Sequence, residues 1–409
     1  MNPRQQAEYL LRDVDTFLPS KEELVERIQE SIEAGRPLRI KLGLDPTAGK
    51  VTLGWAVVLW KLREFQDLGH RAVLIVGNFT ALVGDPSGQS VTRKSLSTGA
   101  VDAFADSVLG EFGLILGSEG PGLEMRFNRD WLGNMTMAKA VALASSATLA
   151  QMMERDDFSK RFAAQQPISM AEFMYPLLQG YDSVAVEADI EMGGTDQLFN
   201  LMMGRQIQER YGQRPQMVLT MPLLVGTDGT EKMSQSLDNF IGITESPDQM
   251  FGKTMSLPDP AMPQWFRLAS GLPQVEIDQV LAGLKDGSLH PGEQKRRLAR
   301  AVVERYHPGE GQAAEAAFDR LFVEKKAPQD LPTFEIGTEE ENLYLPRLLA
   351  QAGLVSSNSE GRRMIAQGAV RINGDPVKEE LVDPTSFHGA VVSVGKRRHV
   401  RILKPSDPS

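Results

Sequence analysis

No cysteine occurs anywhere in the chain, which removes disulfides, thiolate-ligated zinc and thiol nucleophiles together. Histidine is nearly as scarce. His70, His290, His307, His388 and His399 are too scattered to offer a pair of metal ligands at helical spacing, so a metal is expected only in the company of a nucleotide. No apolar run approaches the roughly 18 residues of a membrane-spanning helix. The opening Met1-Asn2-Pro3-Arg4-Gln5-Gln6-Ala7-Glu8 lacks the apolar core of a signal peptide. The expectation is a cytoplasmic protein with no membrane association.

What is present is ordinary for a soluble globular chain: 41% hydrophobic and 24% charged residues and a mean hydropathy of −0.25. The 409 residues suffice for two or three domains around a large core. A formal net charge of −10 argues against a simple nucleic-acid binder, but residues 345 to 404 hold ten Lys/Arg against five Asp/Glu. A basic C-terminal module on an acidic body suits RNA contact, and suits a solvated charged tail equally well.

Ser20 with Glu23 three residues on has the pattern of a capping box. Arg39 to Leu44 reads as a strand, Leu53 to Leu68 as a helix and Ala72 to Gly77 as a buried parallel strand, a βαβ unit. Residues 97 to 165 look helical and Met-rich without a clear strand, an insertion between two halves of a nucleotide-binding fold. Val184 to Met192 fits a strand, Gln197 to Tyr211 a helix and Gln216 to Leu224 another strand. The fold class is therefore α/β, an open, doubly wound parallel sheet with ligands at the carboxyl ends of its strands. The reading assigns 1–245 to this domain, 246–330 to a helical domain and 343–404 to a small α+β module, with a Pro-containing linker at 326–332. In the last module Asn373-Gly374 between apolar flanks signals a hairpin.

Chemistry is expected where a strand gives way to a loop and a helix N-terminus, since free backbone N–H groups and the helix dipole favour phosphate there. Asp45-Pro46-Thr47 to Gly54 occupies that place, and Gly54 lets a ligand approach the backbone. Lys232-Met233-Ser234-Gln235-Ser236 follows the turn-rich Gly226 to Thr230, a loop whose Lys and two hydroxyls could close over a triphosphate. Tyr175, Gln179 and Asp182, spaced by four and three, share one face of a helical segment, with Gly193-Gly194-Thr195-Asp196-Gln197 after it. Taken singly, each also fits a packed helix or a solvated loop.

In this order the motifs resemble those of bacterial-type tyrosyl-tRNA synthetases, a class I aminoacyl-tRNA synthetase family, over nearly the whole chain. The resemblance implies tyrosine-tRNA ligase activity with tyrosine, ATP and tRNA(Tyr) as partners, Mg²⁺ travelling with ATP, no permanently bound cofactor, and a homodimer supported by the Met-rich helices. It implies that Asp85, Tyr175, Gln179, Asp182 and Gln197 bind tyrosine, with Asp182 accepting the phenolic proton. Asp45, Gly54, Gly194, Asp196, Lys232 and Gln235 would hold the nucleotide, and Thr47, Thr52, Trp55, Lys232, Ser234 and Gln235 would occupy the catalytic positions. Residues 343 to 404 resemble an S4 RNA-binding domain. The RNA contacts implied are Lys295, Arg296 and Arg297 on a basic helix face, and Arg362, Arg363 and Arg371 in that domain.

The chain departs from the family pattern at identifiable positions. The two His of the first motif are Thr52 and Trp55, and the second Lys of the Lys-Met-Ser-Lys-Ser motif is Gln235. Gln89 follows Asp85-Pro86-Ser87-Gly88 where many members have a basic residue, and Lys41 stands where many have a Tyr touching the phenol. Trp55 could stack on adenine or fill its pocket. Three expectations follow: a ligase of reduced activity, an adenylate former outside translation, or a non-catalytic paralogue that binds tyrosine and RNA.

Overall fold

The computed structural model describes residues 1–46, 49–87, 98–117, 122–323, 331–335, 343–382, 389–395 and 398–403. Thr47, Gly88, Gln89, His388 and most of the linker lie outside them. The chain forms two compact units, Met1–Tyr306 and His307–Ser409.

The first unit is built on six strands: β1 (Thr16–Leu18), β2 (Arg39–Leu44), β3 (Arg71–Val76), β4 (Leu123–Phe127), β5 (Ile190–Gly194) and β6 (Met217–Met221), in the order β1-β6-β5-β2-β3-β4. All neighbours are parallel except the edge strand β1, which runs antiparallel to β6. β3 is an apolar run buried along nearly its whole length, as expected of a strand covered on both faces. The strand order reverses between β2 and β5, so the crevice of a doubly wound fold opens at their carboxyl ends. Asp45 follows β2 there, and Asp196 and Gln197 follow β5.

Two expectations about elements need correction. The insertion does contain a strand, β4, which extends the sheet beside β3. Its Leu-Glu-Met-Arg-Phe alternates charge with apolar groups because an edge strand is only half covered, and that alternation masked it among helices. The segment from Val184 is not a strand at its start: the helix Met170–Ala185 runs through it, and β5 begins only at Ile190. The cap at Ser20 is half of the expected box. Ser20 Oγ accepts from the Glu23 N–H at 3.2 Å, while the Glu23 carboxylate is taken by Arg27.

The helices Met170–Ala185 and Leu198–Arg210 cross closely through glycine. A Cβ on Gly180 would sit 2.6 Å from Ile207 Cδ1 and 3.3 Å from the Gly204 backbone. Gly180→Ala is therefore expected to destabilise the protein by about 1–3 kcal/mol through overpacking, read as a lower denaturant midpoint. An unchanged midpoint would mean that the helices can separate at no cost.

In the second unit, Val370–Ile372, Asp375–Pro376, Val391–Val394, Arg398–Leu403 and Thr333–Glu335 form a five-stranded sheet. With the helices Leu345–Gln351 and Asn358–Ala366 they close a core around Leu348, Leu349, Ile365, Val392 and Ile402. The expected hairpin forms: Asn373 (φ 51°) and Gly374 (φ 94°) both take positive φ, as a tight two-residue turn requires.

Candidate active site

The helix Met170–Ala185 brings Tyr175, Gln179 and Asp182 to the crevice on one face, as their spacing predicts. The Tyr175 hydroxyl donates to Asp45 Oδ2 at 2.9 Å, and the Thr80 hydroxyl donates to Asp45 Oδ1 at 2.7 Å. Asp45, expected with the nucleotide, is thus held among the amino-acid residues. Gly77 leaves room for this arrangement, since a Cβ there would overlap Asp45 Oδ1. Gln197 Nε2 donates to Asp85 Oδ2 at 2.8 Å, and Asn200 Nδ2 donates to both Gln179 Oε1 (3.0 Å) and Gln197 Oε1 (3.1 Å). Four of the five residues expected to bind tyrosine, Asp85, Tyr175, Gln179 and Gln197, therefore converge with Asp45 and Asn200.

Asp182 closes the other end. It is 3% exposed and accepts from Trp131 Nε1 at 2.8 Å and Asn128 Nδ2 at 3.2 Å. Asn128 Nδ2 also donates to Thr80 Oγ1, so a continuous chain of hydrogen bonds runs from Asp45 to Asp182. Burial pushes the Asp182 carboxyl up to about 6, against the pull of Lys41 and its two donors. Burial, aided by the charge of Asp85, pushes Asp45 up to about 7 in spite of the Thr80 and Tyr175 hydroxyls.

Asn128, Trp131, Thr80 and Asn200 were missed from sequence. Asn128 and Trp131 had a usable signal, since they follow β4 at a strand's carboxyl end; without the strand they read as ordinary insertion residues. Arg155, also from the insertion, reaches the same cluster by donating to Asn200 Oδ1 at 2.9 Å and Ser87 Oγ at 3.2 Å.

The two nucleotide motifs lie against each other. Thr52 caps the helix Leu53–Asp67, its Oγ1 accepting from the Trp55 N–H at 3.4 Å, and is 3% exposed. Trp55 stacks on Phe112 with ring centroids 6.4 Å apart. Gly54 meets its own chain rather than open space: its N–H points to Met233 Sδ at 3.2 Å, and a Cβ would lie 3.3 Å from Met233 Cβ. Gln235 Nε2 donates to the Lys50 carbonyl at 2.7 Å, and Ser234 shares a hydrogen bond with Ser236. Lys232 pairs with Asp196 at 3.1 Å, both partly exposed. Such a pair contributes about 0–1 kcal/mol, so an arriving phosphate can displace it. A Cβ on Gly194 would crowd Leu223 and Asp196. No group of three or more acidic or His side chains among the described residues could hold a metal ion.

Lys295 is tied to Asp259 and Arg297 to Glu276, each at 2.5 Å, and three consecutive residues cannot share one face of a helix. Arg296 is half-buried on the same helix. Arg362, Arg363 and Arg371 are exposed in the second unit.

Residues 33–323 match the tRNA synthetases class I (W and Y), and residues 345–383 match the S4 domain. The tyrosine–tRNA ligase of Moorella thermoacetica is 46% identical over 399 residues, 97% of this chain and 95% of that protein. The corresponding protein of Geobacter metallireducens is 46% identical over 404 residues, 98% of this chain and 100% of its own. In structure, the tyrosyl-tRNA synthetase from Aeropyrum pernix superposes with a TM-score of 0.62 over 80% of this chain and 100% of its own, at 18% identity, a likeness of fold alone. The family match spans residues 33–323 and the sequence likeness to the curated relatives runs over nearly the whole chain, and on that ground the chain belongs to the class I tRNA synthetases (W and Y), on their bacterial tyrosyl branch.

Proposed function

We propose that this chain is a tyrosine–tRNA ligase: it joins tyrosine to ATP, giving tyrosyl adenylate and pyrophosphate, and then transfers tyrosine to tRNA(Tyr). The observation that carries the reading is the single hydrogen-bonded chain from Asp45 through Thr80 and Asn128 to Asp182. It runs along the crevice at the strand ends, with the carboxylates of Asp45 and Asp85 and the Gln179 amide oxygen at one end and the buried acceptor Asp182 at the other. An amino acid with an ammonium group and a distant phenol fits that polarity. Asp45, Asp85, Tyr175 and Gln179 take the ammonium, and Asp182 takes the phenol O–H. Gly194 and Asp196 meet the ribose, while Lys232 leaves Asp196 for the phosphates. Mg²⁺ enters as part of the ATP substrate and offsets its charge.

The homodimer is part of the same proposal. Met137, Val141, Leu149, Phe162 and Met170 are each more than half exposed around the insertion helices, an apolar surface a second copy would cover. tRNA is proposed to contact Arg362, Arg363 and Arg371, with functional boundaries near 245, 330 and 343. The cytoplasm is the proposed compartment; among the described residues no helix is long and apolar enough to cross a membrane.

The deciding experiment is tyrosine-dependent exchange of labelled pyrophosphate into ATP. A second reading has its own support: the Thr52 hydroxyl, the Trp55 ring and the Gln235 amide all engage the chain itself. Tyrosine binding in calorimetry without exchange would favour this binding paralogue; exchange without tRNA charging would favour an adenylate former serving another acceptor.

Tyrosine binding should also depend on pH. Asp45 must be ionised to receive an ammonium, yet in the free protein it titrates near 7. Its raised value adds stability below the unfolded carboxyl range, and that contribution is lost as pH rises through about 7, the opposite of the ligand's preference. The affinity for tyrosine is therefore expected to fall by a factor approaching tenfold per pH unit below about 7, with proton release on binding. Calorimetry in buffers of different ionisation enthalpy measures both, and a flat profile would remove Asp45 from the ammonium site.

A further inference from the structure

Lys41 and Glu191 stand opposite each other in register on β2 and β5, fully buried and 2.8 Å apart. A buried ion pair is a poor way to gain stability, because desolvation offsets most of the attraction and an apolar pair of like volume often serves as well. The bonds around this pair lead instead to the pocket. Lys41 Nζ donates to the Gln179 carbonyl and to Ser183 Oγ, each at 2.8 Å. Glu191 Oε1 accepts from Gln179 Nε2 at 3.1 Å, and its Oε2 accepts from Ser183 and Gln216. Gly204 leaves the space these groups fill, since a Cβ there would overlap Gln216 Nε2 and lie 2.9 Å from Glu191 Oε2.

An ionised carboxylate only accepts hydrogen bonds, so Glu191 dictates which end of the Gln179 carboxamide turns toward it. The NH₂ group faces Glu191 and the oxygen faces the pocket beside Asn200. A flipped amide would present a donor to an ammonium and repel it. One helical turn further on, the charge of Lys41 is the strongest influence opposing burial at Asp182, which favours the form able to accept a phenol proton.

We propose that Lys41 and Glu191 are positioning residues for tyrosine selection: the buried pair orients the Gln179 carboxamide at the ammonium end, and Lys41, bonded to Ser183 next to Asp182 in the chain, directs a positive charge toward the phenol end. The inference rests on the tyrosine reading of the pocket. Both residues act through other side chains.

The test compares the full-length protein with Lys41→Met/Glu191→Gln, a double change that leaves no unpaired buried charge. KM and the calorimetric Kd for tyrosine should rise by about thirtyfold, kcat should hold within about threefold, and the tyrosine-to-phenylalanine ratio of kcat/KM should fall by about tenfold, the rest being an ammonium-end loss that phenylalanine shares. Glu191→Gln alone, nearly isosteric, should weaken tyrosine and phenylalanine by the same factor, because the ammonium end is common to both. It carries the test if the double variant does not fold. A lower melting temperature with tyrosine affinity and selectivity unchanged would overturn the proposal and leave the pair a purely structural element. Absence of tyrosine binding by the unmodified protein would overturn the ligase reading along with it, whereas unchanged binding by the variants would overturn the positioning role alone.

Discussion

Replacing Trp55 by His and Gln235 by Lys together is expected to raise tyrosine-dependent pyrophosphate exchange by roughly two to four powers of ten. Adenylate formation concentrates negative charge around the α-phosphate, and only contacts that strengthen there raise the rate. A hydrogen bond to a charged group contributes about 1.5–3 kcal/mol, so two restored donors supply about 3–6 kcal/mol, less whatever overlap the pair has. In the unmodified geometry both side chains engage the chain itself. The Trp55 ring packs on Phe112, and the Gln235 amide is spent on the Lys50 carbonyl. A His at 55 vacates volume beside Phe112, so some loss of stability is expected, and a melting curve separates that loss from the change in rate. If the unmodified protein already exchanges at the revertant's rate, Lys232, Ser234 and Ser236 suffice, and the replaced positions are not limiting.

Elements whose residues carry their own local physics were readable without coordinates. β3 announced itself as an apolar run and β2 as the strand before it in a βαβ unit, Asn373-Gly374 as a turn that tolerates positive φ, and Tyr175, Gln179 and Asp182 as one helical face. What stayed hidden depends on partners distant in sequence. β4 is a strand because β3 offers it an edge, and Asn128 and Trp131 reach Asp182 because β4 delivers them to the crevice. Gly54 looked like space kept for a ligand, yet it is Met233, about 180 residues later, that fills it. Asp45 looked like a phosphate-side residue from its place after a strand, and the hydroxyls of Thr80 and Tyr175 draw it to the amino-acid end. Lys41 stood out only as a departure from the family pattern, and its partner Glu191 came from the register of β2 on β5.

Asp182→Asn is expected to reduce the preference for tyrosine over phenylalanine by about ten- to a hundredfold in kcat/KM. The carboxylate now receives two donors, Trp131 Nε1 on one oxygen and Asn128 Nδ2 on the other. Asn128 cannot turn to compensate, because its own oxygen accepts from the Phe79 N–H at 2.9 Å and its nitrogen also serves Thr80. An amide at 182 therefore meets a donor with a donor in either orientation, and about 1–3 kcal/mol of stability should be lost through the unsatisfied group. With tyrosine bound, the phenol O–H loses a charged acceptor, whereas phenylalanine never used it. Tyrosine should therefore lose rate while phenylalanine keeps its own, which a general loss of folding would not produce. Measuring exchange with both amino acids on the same preparation cancels the fraction of protein folded, and an unchanged ratio would place phenol recognition on another group.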